Sequence, residues 1–386
     1  MPIITGVETI RVALPTRRVH KWTGLTEPIG RPLLVRLTDD AGHIGWGEAP
    51  SVKDWGGEFG RYFGETPSID ALVINDYLAK VIVGLEVGNL GELHRRMDAM
   101  IRGYPYAKAA VDIAAWDLAG RALGLPVTQL LGGRVRDRIP VTHSIGLLSV
   151  EEAAAEAAIV AREGVRAIKV KVGVEPERDI EVVRAVRRSA GEAVDICIDA
   201  NEGWRTPGEA IGVVRALQDV RLKYVEQPVM GIERLAEVAR AIDVPVMADE
   251  SAWNAHDVLQ IIERRAAQIV SIYTTKPGGL LRALEVAAVC RAAGIVCNVN
   301  GSIETGVGNR ANVALAAVAE AVTLGCVIPV SRPAEHDDGR IGGIYYTDDL
   351  IGEPLRLEEG SVVVPDGPGL GIDVDEAKIE RYRLTE

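Results

Sequence analysis

The chain has 386 residues, 47% hydrophobic and 25% charged, with a formal net charge of −12. Its length suits two domains, or one barrel with an added domain. The acidic balance argues against nucleic acid and anionic membrane surfaces as partners, no apolar run approaches bilayer-spanning length, and the N-terminus lacks the layout of a signal peptide.

The first forty-odd residues alternate as strands do. TGVETIRVAL and PLLVRLTDDAGHIGWGEA are separated by a polar loop, and DDAGHIG reads as a hairpin turn. From about residue 68 the period becomes helical. AKAAVDIAAWDLAGRALG, at 107–124, repeats apolar residues at helical spacing and is stopped by Gly124 and Pro126. Residues 1–130 therefore read as an α+β unit. From about residue 138, short β-branched runs such as AIKVKVG, VDICIDAN, LKYVEQP, VPVMADES and IVSIYTT alternate with Ala/Glu/Arg-rich helical stretches every thirty residues or so. Successive β/α units make a parallel sheet. Seven clear units and a further strand near VTLGCVIP predict a closed barrel of the α/β class over 135–348. No GxGxxG, GKS or GKT follows a strand, which excludes dinucleotide and P-loop sites. The Gly/Pro-rich segment 349–386 is expected to pack back on the first domain. Cys197, Cys290, Cys297 and Cys326 form no CxxC pair and no zinc spacing, so they read as reduced, structural thiols of a cytoplasmic protein.

In such barrels chemistry sits at the C-terminal ends of strands. The second strand ends in Lys169-Val170-Lys171, the third in Asp199-Ala200-Asn201, the fourth in Glu226-Gln227-Pro228 and the fifth in Asp249-Glu250-Ser251. Strand alternation puts Lys169 and Lys171 on one face. A single acid at a strand end is ordinarily a cap or a solvated group. Three on consecutive strands converge, and their oxygens suit a hard cation, Mg²⁺ with Mn²⁺ as substitute, which keeps positions open for a substrate carboxylate. A lysine beside that cation and another lysine has its ammonium form disfavoured, so it can act as a base.

These residues resemble the enolase superfamily, and within it the muconate-lactonizing subgroup of the mandelate racemase/muconate lactonizing enzyme family. The resemblance rests on AKAAVDIAAWDLAGRALGLPVTQLLGG, IKVKVG, DANEGW, EQP, ADES, GSIETG with Glu304, and PDGPGLGIDVD, and spans nearly the whole chain. It implies Asp199, Glu226 and Asp249 as metal ligands, Lys171 as acid/base catalyst and Lys169 as its supporting neighbour. IVCNVNG carries no histidine, which disfavours the mandelate racemase branch. The family's second catalytic lysine stands five positions before a Gly-Gly pair. Here Tyr273 occupies that place before Gly278-Gly279, and strand alternation puts Lys276 off the face of Tyr273 and Thr275 unless a break at Pro277 redirects it, so Tyr273 is favoured and Lys276 is the alternative opposite Lys171. A costly tyrosinate favours one base, Lys171, facing a neutral partner.

Other residues have both structural and functional readings. His20-Lys21-Trp22-Thr23-Gly24 and Val52-Lys53-Asp54-Trp55 lie where the family's cap covers its site. Trp22 and Trp55 either anchor a core or shape the pocket, with Lys21 or Lys53 meeting a charge. His143, at the first strand end, is a candidate to point inward, whereas His256 and His336 read as surface residues. Asn201 and Glu250 are candidates to support the ligands. The implied chemistry is proton abstraction α to a carboxylate through an enediolate, with cycloisomerisation favoured over dehydration and over racemisation or epimerisation. The rivals are a non-catalytic binding barrel and an aldolase using Lys171 as a Schiff base. The expected partners are a small carboxylate substrate and further copies of the chain.

Overall fold

The computed structural model describes residues 1–25, 28–301 and 303–384. The chain opens with an antiparallel meander of β1 (Ile4–Arg11), β2 (Leu33–Asp39) and β3 (Ile44–Ala49). The β2–β3 turn forms because the Asp39 carboxylate accepts from the backbone N–H of Ala41 and His43, at 3.0 and 2.8 Å. A long helix, α1 (Pro105–Leu123), crosses this sheet and ends at Gly124, whose φ of 68° suits glycine. Every residue from Tyr106 to Gly120 is buried, because α1 packs on the sheet on one side and on the barrel on the other. Gly45 and Gly47 of β3 permit that approach. A Cβ at Gly47 would stand 2.0 Å from the Ala110 carbonyl oxygen.

The second layer is a parallel sheet of seven strands in sequence order. They are β4 (Thr142–Ile145), β5 (Ala167–Lys171), β6 (Asp195–Asp199), β7 (Val225–Glu226), β8 (Val246–Ala248), β9 (Ile269–Ile272) and β10 (Val296–Val299). The expected eighth strand is a set of single bridges. Val322 and Val327 pair with Cys297 and Asn300, and Cys326 pairs with Val141, which closes the barrel. Helices follow the strands, among them α2 (Val150–Arg162), whose Ser149–Glu152 capping box fixes its start. The four cysteines are free and buried. Among the described residues no helix is long and apolar enough to cross a membrane.

Buried carboxylates tie the cap to the barrel. Asp112 of α1 accepts from the Leu280 N–H at 2.6 Å, and Glu48 of β3 accepts from the N–H groups of Thr305 and Gly308, both at 2.8 Å. Removing such an acceptor strands a buried donor, a loss of about 1–3 kcal/mol each. The tail divides its contacts. Ser361–Val363 pairs with Arg138–Pro140 ahead of β4, and only later does the chain return to the cap, where Gly369 bridges Pro126 and Arg383 bridges Val12.

Candidate active site

Ladder register carries the acids and lysines to one place. Lys169 lies opposite Ser144 and Cys197, Lys171 opposite Asp199, and Asp199 opposite Glu226. Ile168 and Val170 alternate with the lysines and are buried in the hydrophobic core, so both ammonium groups face the barrel axis. Lys171 Nζ lies 2.7 Å from Asp199 Oδ2 and 2.8 Å from Asn201 Oδ1. Lys169 Nζ bridges Asp199 Oδ2 at 3.1 Å and Glu226 Oε1 at 3.0 Å. Asp249, from the end of β8, meets Lys276 Nζ at 2.7 Å. Lys169, Lys171 and Asp249 line the inner end of a cleft whose outer lining includes His20, Trp22, Val52, Trp55 and Tyr345.

The electrostatics follow from burial set against pairing. Burial disfavours the Lys169 ammonium, yet Glu226 and Asp199 outweigh it and hold its pKa well above 10.5. Burial likewise opposes the Asp199 charge, but Lys171 and Lys169 bring it down to about 2. Burial, with Asp199 beside it, pushes Glu226 up to about 8. Glu226 is thus short of positive charge, and its Oε2 is buried with no hydrogen-bond partner among the described residues. Among those residues no three His, Cys, Asp or Glu side chains close on a metal-holding point; lysine ammoniums lie against the carboxylates instead. The donor chemistry nevertheless fits a hard divalent cation, with oxygen atoms from three neighbouring strand ends, one of them unsatisfied.

The Enolase C-terminal domain-like model matches residues 151–378, and the Mandelate racemase / muconate lactonizing enzyme N-terminal domain matches 7–132. The chain belongs to the mandelate racemase/muconate lactonizing enzyme family of the enolase superfamily. It is 32% identical to muconate cycloisomerase 1 of Rhodococcus opacus over 96% of each chain. It is 30% identical to an N-succinyl-L-Arg/Lys racemase of Bacillus cereus over 99% of this chain and 98% of that one. The solved 2-chloromuconate cycloisomerase of Rhodococcus opacus superposes with a TM-score of 0.90, at 29% identity, over 99% of this chain and all of that one. The family's relatives thus include both cycloisomerases and racemases, and like them this chain is an enzyme of the isomerase kind.

The sixth strand end of this family member departs from the sequence reading. β9 stops at Ile272, and residues 275–278 form a turn, so strand alternation does not reach Lys276. Its side chain enters the site after all. Nζ donates to Asp249 Oδ1, to the Asp249 carbonyl at 2.8 Å and to the Ser271 carbonyl at 2.9 Å. Tyr273 lines the cleft, whereas Lys276 does not; its ammonium lies 4.6 Å from the Tyr273 ring centre. Burial, then Asp249, pushes the Tyr273 phenol well above 10, so it stays neutral, and its hydroxyl lies 3.4 Å from Asp249 Oδ2.

His143 also corrects the reading. It points outward, its Nε2 2.7 Å from Glu156 of α2 and its Nδ1 accepting from the Gly343 N–H at 2.9 Å. The barrel register puts Ser144 on the cleft side in its place. Asn201 links Lys171 to Glu250, with Nδ2 2.9 Å from Glu250 Oε1. Glu304 does not line the cleft; its Oε2 accepts from the Ile303 N–H at 3.1 Å. Trp22 and Trp55 are half-buried and line it, whereas Lys21 and Lys53 are exposed and do not. His256 and His336 are exposed. Sequence reasoning missed Asn300, which donates to Glu226 Oε1 at 3.1 Å and Ser271 Oγ at 2.9 Å. Its signal was the alternation in NVNG. It also missed Gln227, whose Oε1 receives the Asp249 N–H at 2.9 Å.

Proposed function

We propose that the protein catalyses one-base proton transfer α to a substrate carboxylate, coupled to addition or elimination at the neighbouring carbon. The observation that carries this reading is the asymmetry of the cleft. Lys171 lines one wall, a neutral phenol lines the other, and the remaining lysine nearby, Lys276, is held by three oxygens behind that phenol.

A divalent cation held by Asp199, Glu226 and Asp249, Mg²⁺ by preference, would supply Lewis-acid polarisation of the substrate carboxylate. The protein's own groups divide the remaining work. Lys169, kept as an ammonium by its two carboxylates, donates hydrogen bonds where negative charge grows in the enediolate. Lys171, oriented by Asp199 and Asn201, takes the α-proton from one face. The Tyr273 hydroxyl faces the cleft as a neutral donor towards a departing or attacking group. When that group belongs to the same molecule the reaction is a cycloisomerisation, which the cycloisomerase relatives support; when it is free, the reaction is a β-elimination. A symmetric racemase would need a base on each wall, and one wall here offers a phenol.

The test is incubation with Mg²⁺ in D₂O against a carboxylate library, with mass spectrometry of substrates and products. Metal-dependent α-deuteration should vanish with EDTA and return with Mg²⁺. Exchange that persists in EDTA, or a borohydride-trapped adduct on the protein, would overturn the metal-assisted reading in favour of a Schiff base.

A further inference from the structure

The cations that line the cleft, Lys169 and Lys171, both lie at its inner end, where Asp199 and Glu226 match them. The outer wall has another character. It is built from Trp22, Val52, Trp55, Val327 and Tyr345, all uncharged. His20 completes it. The imidazole lies 5.0 Å from the Tyr345 ring and 6.1 Å from the Trp22 ring, centre to centre, and the residue is 4% exposed. Its Nδ1 is buried beside Gly146 with no hydrogen-bond partner among the described residues. Burial, then Arg18 and Lys171, pushes the ring well below its ordinary 6.5, so it is uncharged. A neutral imidazole offers one donor and one acceptor, and a buried ring nitrogen without a partner is unfavourable until one is supplied.

We propose that the cleft takes a substrate with a single carboxylate, seated at the inner end, whose distal part is uncharged, apolar or aromatic, and carries a hydrogen-bonding group met by His20. This deepens the one-base reading and rests on it only in taking the inner end as the carboxylate site. A second carboxylate would be desolvated against Trp22, Trp55 and Tyr345, where the nearby cations are already paired: Lys171, 5.7 Å from the Trp22 ring, with Asp199; Lys276, 5.6 Å from the Trp55 ring, with Asp249; and Arg18 with Glu156. Buried sites discriminate strongly in this way, because a wrong ligand leaves a polar or charged group unmatched. Dicarboxylates of the muconate type are therefore poor ligands for this chain.

Binding of three matched probes to the Mg²⁺-loaded enzyme tests this by calorimetry: hydrocinnamate, its para-carbamoyl derivative and its para-carboxy derivative. The carbamoyl compound should bind at least about tenfold more tightly than the carboxy compound. In His20→Phe, which keeps a ring of similar size, the advantage of the carbamoyl compound over hydrocinnamate should fall towards one. Equal or tighter binding of the dicarboxylate overturns the proposal. So does an undiminished carbamoyl advantage in His20→Phe, or failure of all three to bind at millimolar concentration. Binding with no α-proton exchange would count against the one-base reading while leaving the distal preference measured.

Discussion

The inner and outer ends of the cleft are built by different parts of the chain and by different physics. At the inner end, Lys169, Lys171, Asp199 and Glu226 stand on adjacent parallel strands in fixed register, all ionisable and each held by hydrogen bonds. At the outer end, Trp22, His20 and Trp55 come from cap loops and meet their neighbours through ring faces, as Trp55 meets Tyr273 at 5.0 Å. Register fixes charge placement to fractions of an ångström, which proton transfer demands. Ring contacts tolerate replacement, which substrate choice demands. On this division the strand ends would set the chemistry, and the ringed outer end, shared by the cap loops with Val327 and Tyr345, would set the molecule.

The sharpest way to break the division is at the inner end. Lys171→Ala should lower turnover by about 10²–10⁴-fold, the range for a positioned general base, and calorimetric Mg²⁺ affinity, which Lys171 touches only through Asp199, should change far less than turnover. Survival of turnover would remove Lys171 from the mechanism. Lys276→Ala should come next. Its ammonium holds Asp249 without facing the cleft, so the expected loss is about 10–100-fold, the range for groups that orient a ligand, and should appear in Mg²⁺ affinity as well as in rate. A rate defect with metal affinity unchanged would make Lys276 a second proton-transfer group. Tyr273→Phe should have the smallest effect, about 5–10-fold in kcat, equivalent to one neutral hydrogen bond of about 1 kcal/mol. A much larger loss would make the phenol the obligatory acid. No loss would leave it as part of the wall.

The inner end was legible in the sequence because its residues sit at the ends of units repeating every thirty residues or so, and counting those units places the acids on neighbouring strands. Two facts there were not. Sequence gives alternation within a strand but not register between strands, so His143 and Ser144 were equally eligible to face inward until Ser144 was found opposite Lys169. Alternation also assumes a strand, and β9 ends at Ile272, four residues before Lys276. The outer end was less legible. His20 and Tyr345 are far apart in the chain, and only the closed fold brings their rings together. The packing of α1 was visible in part, since IGWGEA carries the two glycines that admit it.

The pairing of α1 and β3 with the barrel bears on what counts as a separable piece of this molecule. The first turn of the helix that begins at Gly306 depends on Glu48, and the start of the helix at Leu280 depends on Asp112. The barrel half of the chain therefore does not contain all the acceptors its own amides require. The cap completes helix starts of the barrel rather than lying as a lid on a finished one, so the two lengths of chain are expected to melt as one object.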